Sequence, residues 1–218
     1  MNKSMLPLLD SSLYPQIWQQ KKFTNPQALL LAMLTIDITA DADAFTKQLL
    51  KNDTYQDWIN SSVFGRYLQR NFTAFSQQTE DSYNVDMPLL FRQELMRHAQ
   101  YLPLEQVLFF AGDMPKGVRQ IKVLSTTVNP ATAIINAQKL STKSSINNTT
   151  TIINQIVITG KQVLGFPIRH NKRTSERLRN EVSILDFQDL RLVNEESIST
   201  KKRSNIEESI LLRSYELR

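Results

Sequence analysis

The spacing of hydrophobic and polar positions divides the chain into a helical first part and a β-rich second part. Before about residue 105, apolar residues recur at helical intervals. Asn25 and Pro26 open the clearest helix, "NPQALLLAML", as N-cap and first helical residue. Further helices are predicted over "DADAFTKQLLK", "SVFGRYLQRNFTAF" and "DMPLLFRQELMRHA", because each carries an apolar stripe. We therefore predict a helical lobe over residues 1–104.

The second part alternates short apolar runs with turn residues, a pattern typical of strands. These runs are rich in β-branched and aromatic residues. The predicted strands are "QVLFFAG", "QIKVLS", "INQIVITG", "QVLGFPI", "EVSILD", "DLRLVN" and "SILLRSYEL". Only the segment after Pro130 predicts a helix, and two polar stretches, 141–151 and 197–205, predict loops. Residues 105–218 are thus predicted to form a β core that makes one compact unit with the lobe.

Composition excludes several classes of protein and site. The 218 residues contain no cysteine, which excludes disulfides, thiolate catalysis and zinc sites built on cysteine. Only two histidines are present, so metal sites and Ser-His hydrolases are disfavoured and no metal is predicted. No apolar run approaches the roughly 20 residues of a membrane helix, and no signal peptide is recognisable. We expect a soluble protein that is cytoplasmic or exported without a leader.

The charge of the chain permits an acidic partner without requiring nucleic acid. The formal net charge is +5 and the sequence pI is about 9.4. Aromatic residues are not interleaved with the basic ones, as stacking platforms for single-stranded nucleic acid would require. Nucleic acid is therefore disfavoured as a partner.

The segment "LSTTVNPATAIINA", Leu124 to Ala137, places three hydroxyl residues between a strand and a helix. A local explanation suffices for them, because Ser and Thr side chains bond nearby backbone groups at such ends. A functional explanation depends on the order of the whole second part. In that order, a strand ending in "FFAG" comes first, "LSTT" follows, and a later strand begins at "NEVSIL".

This order resembles the Arg-Ser-Glu class of ADP-ribosyltransferases, the cholera-toxin-like and C3-like enzymes. In that class the first core strand ends in Arg-Gly, the second carries Ser-Thr-Ser, and a third block, Glu-x-Glu, opens a strand. The resemblance covers residues 107–218. It implies an α+β fold in which the helical lobe packs on two mainly antiparallel sheets, with an NAD cleft between them.

Residue by residue, the resemblance assigns roles within this cleft. Ser125, Thr126 and Thr127 stand where the family has Ser-Thr-Ser, so Ser125 is expected to support the nicotinamide ribose and the other two to line the NAD site. Glu181 matches the last Glu of the third block and is the expected catalytic carboxylate. In the family this group helps an oxocarbenium-like sugar cation form as nicotinamide leaves. The alternative for Glu181 is a solvated acid at a strand start.

Two positions depart from the family pattern. Ala111 stands before Gly112 where the family has an Arg that would clamp the phosphates of NAD, and Arg119 is a candidate replacement. Arg179 stands where arginine-modifying members have the first Glu of Glu-x-Glu. A cation there repels a guanidinium, so arginine is disfavoured as acceptor.

The basic loop before Glu181, "RHNKRTSERLRN", lies where the family meets its target protein. The resemblance implies that His170, Arg173, Arg177 and Arg179 recognise an acidic patch on that target. The alternative is an ordinary solvated loop. Glu176, in the same loop, is an alternative carboxylate.

The leading hypothesis is an NAD-dependent mono-ADP-ribosyltransferase of toxin or effector type, acting on a macromolecular target. One rival is a degenerate member that keeps the fold as a binding module, which Ala111 and Arg179 favour. The second rival is an unrelated basic interaction protein, which predicts that Ser125 and Glu181 lie far apart.

Overall fold

A computed structural model describes residues 3–61, 95–97, 99–143, 150–168, 175–201 and 207–218. The helices are α1 (Leu9–Leu13), α2 (Pro26–Leu34), α3 (Ala42–Leu49), α4 (Asp53–Ser61), α5 (Val118–Ile121) and α6 (Pro130–Lys143), with a 3₁₀ turn at Ser175–Arg179. The strands are β1 (Gln16–Trp18), β2 (Lys21–Phe23), β3 (Gln100–Tyr101), β4 (Val107–Ala111), β5 (Leu124–Thr127), β6 (Thr151–Ile158), β7 (Leu164–Pro167), β8 (Glu181–Asp186), β9 (Leu190–Lys201) and β10 (Glu207–Leu217).

The helix start predicted at Asn25 is confirmed. The Asn25 side chain accepts a hydrogen bond of 2.8 Å from the Ala28 amide, and Pro26 is the first residue of α2. The helix predicted over "DADAFTKQLLK" is also confirmed, as α3. The apolar stripe of the predicted helix "SVFGRYLQRNFTAF" lies outside the described residues: Phe64, Leu68, Phe72 and Phe75. Three residues of "DMPLLFRQELMRHA" also lie outside them: Met87, Phe91 and His98. Leu95, from the last predicted helix, is helical and buried.

The first part of the chain also contains strands that its periodicity did not predict. Strands β1 and β2 pair as an antiparallel hairpin. Strand β3 pairs with β7 at one edge of the large sheet, so residues before 105 take part in the β core. Each of these strands has only two or three residues, which is too short to show a period of two.

The second part forms one large, mixed sheet in the order β3-β7-β8-β5-β4-β6-β10-β9. Its pairs are antiparallel except for β10 with β6, in agreement with the predicted mainly antiparallel core. The expectation of two packed sheets is wrong, because these eight strands are hydrogen-bonded into one sheet. Two element boundaries also differ from the prediction. Residues 120–122 of the predicted strand "QIKVLS" instead end α5, where Lys122 takes a left-handed conformation. Strand β9 continues through the predicted loop to Lys201, because it pairs with β10 along that whole length.

The large sheet bends between β4 and β5. These strands share a single residue pair, Phe109 with Thr127, whereas the other neighbours pair at two or more positions. The chain passes from β8 to β9 through residues 187–189 alone. A flat sheet would separate β8 and β9 by five strand spacings, about 24 Å, but this short link spans at most about 14 Å. The two halves of the sheet therefore cannot lie in one plane.

Helix α6 joins β5 to β6 and covers the intervening strand β4. Its buried face consists largely of small residues, which allows close packing on the sheet: Ala131, Ala133, Ile134 and Ala137. Helices α2 and α3 then pack on α6. The lobe is thereby held close to the end of β5 and the start of β8. Within the described part of the chain, no helix is both long and apolar enough to cross a membrane.

Candidate active site

The candidate site lies where β5 and β8 pair. In their antiparallel register Ser125 stands opposite Ser183, and Thr127 opposite Glu181. Because side chains alternate along a strand, these four residues share one face of the sheet. On that face the Ser125 hydroxyl donates a hydrogen bond to Oε1 of Glu181. The two residues expected to carry the chemistry, 56 positions apart in sequence, are thus in direct contact.

The contact between Ser125 and Glu181 joins a buried group to an exposed one. Glu181 is only 8% exposed, whereas Ser125 is exposed. Burying a carboxylate is costly unless hydrogen bonds compensate for the lost water, and the serine hydroxyl supplies one. A ligand that reaches Ser125 from solvent would therefore meet a carboxylate that is already oriented.

The other two hydroxyls of "STT" bind the backbone of β8 and the residues before it. Thr126 Oγ1 donates to the carbonyl of Val182 at 2.7 Å, and Thr127 Oγ1 donates to that of Arg179 at 2.5 Å. Thr126 lies on the opposite face of β5 from Ser125. The expectation that all three hydroxyls line one cleft is therefore wrong for Thr126, because the alternation of the strand separates it from Glu181.

Ala111 ends β4 near the bend in the sheet. Ala111 lies two residues beyond Phe109, through which β4 pairs with β5. It is partly buried and pairs with Ile153 of β6. The position where the family carries its phosphate-binding Arg therefore offers only a methyl group here.

Gly112 has a structural role in the turn after β4. Its φ of +86° is strained for other residues, and an added Cβ would lie 2.9 Å from Leu140 Cδ1 of α6. The buried Asn154 side chain holds this turn, since its Nδ2 donates to the carbonyls of Phe110 at 3.1 Å and Gly112 at 2.6 Å. The glycine is thus required by the backbone, independently of any ligand.

Two of the predicted cationic residues, Arg119 and Arg177, make contacts away from Ser125 and Glu181. Arg119 donates from Nη2 to the carbonyl of Leu190 at 3.0 Å, and Leu190 follows β8 at the end opposite Glu181. In the structure, the Arg119 guanidinium thus binds a backbone carbonyl beyond the far end of β8. Arg177 forms an ion pair of 2.7 Å with Asp43 of α3, on the lobe.

The remaining predicted recognition residues are only partly described. Arg179 is exposed at the end of the 3₁₀ turn, next to the carboxylate site. His170 and Arg173 lie outside the described residues, as does the side chain of Glu176. Among the described residues, no group of three or more His, Asp or Glu side chains is arranged to hold a metal ion.

No protein-family model, no curated protein and no solved structure matches this chain. A functional assignment therefore depends on the short motifs that resemble the transferase class, and on the side chains of β5 and β8 and the contacts between them.

Sequence reasoning missed the asparagine that precedes the carboxylate. Asn180 is buried, has a φ of +41°, and bonds through its side chain to residues of α3, α4 and the start of α6. One signal was present, because asparagine tolerates the left-handed conformation better than most residues and is frequent where a chain turns into a strand.

The arrangement has a definite chemical capacity. A carboxylate oriented by a hydroxyl can accept a hydrogen bond from a sugar hydroxyl, and it stabilises positive charge that develops nearby. The serine hydroxyl has acceptor capacity left after donating to Glu181. The pair therefore suits a reaction in which a sugar acquires cationic character while a leaving group departs.

Proposed function

We propose that this protein is an NAD-dependent mono-ADP-ribosyltransferase that modifies a macromolecular target. The observation that supports the proposal is the hydrogen bond from Ser125 to Glu181 across β5 and β8. The sequence resemblance assigns these two residues to the catalytic pair, and they meet on one sheet face. The rival of an unrelated interaction protein predicts instead that they lie far apart.

In the proposed reaction the bond between nicotinamide nitrogen and ribose C1′ breaks, and its electron pair neutralises the pyridinium ring. The sugar becomes oxocarbenium-like, and Glu181 stabilises it through a ribose hydroxyl and through its charge. An acceptor nucleophile then bonds to C1′ and loses a proton. Ser125 keeps the carboxylate in place during these steps.

The acceptor is proposed to be a group other than arginine. Arg179 is exposed and lies two residues before Glu181, so the guanidinium of an arginine acceptor would meet a like charge. An acidic or hydroxyl acceptor on a protein with an acidic surface patch suits this position better. The protein is proposed to be a toxin or effector that acts in the cytoplasm, either of a target cell or of the cell that produces it.

A second candidate is a binding module that keeps the fold but lacks turnover. Ala111 favours it, because an alanine at the position of the family's Arg cannot clamp phosphates. Arg119 does not compensate, since its guanidinium is bonded to the Leu190 carbonyl.

Incubation with labelled NAD and a cell lysate tests the leading proposal. We expect label transfer by the wild type and a loss of about 100-fold or more in Glu181→Gln, because that variant keeps the shape but removes the negative charge. Ser125→Ala should lose about tenfold. Glu196→Gln is the matched control, because Glu196 is an exposed glutamate on β9, away from the site.

Calorimetric titration with NAD separates the candidates. The transferase requires binding at millimolar NAD or below, together with label transfer. Binding without transfer would favour the module, and an absence of binding at millimolar NAD would contradict the enzyme. Transfer that survives Glu181→Gln would contradict the role of this residue.

A further inference from the structure

We propose that Asn180 is a positioning residue for Glu181, and that the helical lobe acts on the site through it. This inference rests on the proposed function, because it concerns the same carboxylate. On this inference, residues of α3 and α4 help to position the Glu181 carboxylate, although they lie more than 120 positions from Asn180 in sequence.

The Asn180 side chain is the centre of a buried hydrogen-bond network. Its Oδ1 accepts from Thr46 Oγ1 at 2.7 Å and from Asn129 Nδ2 at 2.8 Å, while its Nδ2 donates to the Tyr55 hydroxyl at 3.1 Å. All four residues are buried. Because an unpaired polar group in such a place is costly, the network favours a single arrangement.

Because Asn180 directly precedes Glu181, fixing the Asn180 backbone also fixes the position of the Glu181 carboxylate. The φ of +41° at Asn180 turns the chain from the 3₁₀ turn into β8, and the next residue is Glu181. Backbone hydrogen bonds hold both residues. The Asn180 carbonyl accepts from the Val128 amide at 3.2 Å, and the Glu181 carbonyl accepts from the Ile168 amide at 2.8 Å. A shift of Asn180 would therefore move the first residue of the strand that carries the site.

Asn129 connects β5, the strand that contains Ser125, to Asn180. The Asn129 Oδ1 accepts from the Thr132 amide at 3.2 Å in the first turn of α6, and the Asn129 amide donates to Thr127 Oγ1 at 3.0 Å. Since Thr127 also binds the Arg179 carbonyl, the end of β5 and the approach to β8 are joined beside Asn180. The relative placement of Ser125 and Glu181 thus depends on contacts with the lobe.

Thr46→Val is the test variant, because it preserves size but removes the hydroxyl whose one proton is shared between Asn180 Oδ1 and the Ala42 carbonyl, each 2.7 Å away. Thr46→Ser restores that hydroxyl. Thr35→Val is the matched control, since Thr35 also donates to a carbonyl one helical turn back, in α2, but has no link to Asn180. Tyr55→Phe is a second, milder variant that removes only the partner of Asn180 Nδ2.

Two measurements are made on these full-length variants. The first is kcat and KM for NAD in the transfer or NAD-cleavage assay. The second is the hydrogen exchange of the Val128 and Ile168 amides by NMR, which requires no activity. We expect Thr46→Val to lower kcat about tenfold with KM unchanged within twofold, and to speed exchange of both amides about tenfold. Thr46→Ser and Thr35→Val should behave as wild type.

The outcomes separate this inference from the proposed function. A wild type without NAD turnover would contradict the proposed function, while faster exchange in Thr46→Val would still support control of Asn180 by the lobe. Unchanged exchange in both Thr46→Val and Tyr55→Phe would overturn the inference, whatever the activity. Faster exchange with unchanged kcat in an active enzyme would also overturn it, because the network would then be structural only.

Discussion

Asp10 should make the folded chain less stable as the pH rises through the mildly acidic range. Its carboxylate, in the first turn of α1, accepts hydrogen bonds of 2.9 Å from Gln106 Nε2 and from the Val107 amide at the start of β4. Burial nevertheless raises the pKa of Asp10 from 3.8 to about 6, since desolvation outweighs these two bonds. The folded state therefore holds a proton that the unfolded chain releases.

The sign and size of the effect follow from linkage. Between pH 3.8 and about 6 the folded state binds more protons than the unfolded state, so the free energy of unfolding falls as the pH rises. The two pKa values differ by about 2.2, and each pKa unit corresponds to about 1.4 kcal/mol. The full loss from this one group is about 3 kcal/mol, of which about 2 kcal/mol falls between pH 4 and 7.

Urea denaturation from pH 4 to 7 measures this loss. The other carboxylates also titrate, so the informative quantity is the difference between wild type and Asp10→Asn at each pH. We expect that difference to change by about 2 kcal/mol over the range, with the wild type relatively more stable at pH 4. Asp57→Asn, at an exposed position of α4, is the control. A difference between wild type and Asp10→Asn that stays constant with pH would refute the reasoning.

Two further predictions concern local structure. Gly112→Ala should lower the free energy of unfolding by about 1–2 kcal/mol, because φ is +86° there, and Leu140→Ala in the same chain should not restore it fully. Equal stability of Gly112→Ala and wild type in urea denaturation would contradict this. Asn25→Ala should cost about 1 kcal/mol through loss of the cap on the Ala28 amide, whereas Asn25→Ser should cost much less. Equal losses in the two Asn25 variants, measured by thermal denaturation, would show that the cap is not the cause.

The elements that sequence predicted well are those with local causes. The start of α2 depends on a cap and a proline that are adjacent in the chain, and β8 begins at Glu181 as predicted. Where a contact with a distant part of the chain sets the extent of an element, the hydrophobic pattern did not predict it. Strand β9 runs to Lys201 through residues with a loop-like composition, because β10 pairs with each of them. The bend between β4 and β5 likewise has no signature in the hydrophobic pattern.

The candidate site shows the same division. The sequence indicated Ser125 and Glu181 by their order relative to other motifs, and the resemblance required them to face one cleft within a few Å of each other, as they do. The strand register that achieves this came only from the structure. Sequence reasoning expected Thr126 to line the same cleft as Ser125, although the alternation of β5 places Thr126 on the other face. It expected Arg119 at the phosphates, whereas the Leu190 carbonyl holds it elsewhere.

The sequence by itself determined which residue types are available and where most helices and strands begin, because caps, periodicity and turn residues act over a few positions. The tertiary structure alone decided the pairing of β5 with β8, the register that brings Ser125 to Glu181, and the network that attaches Asn180 to the lobe. These contacts join residues 51 to 134 positions apart. Their free energy depends on burial and on partners that exist only once the chain has folded.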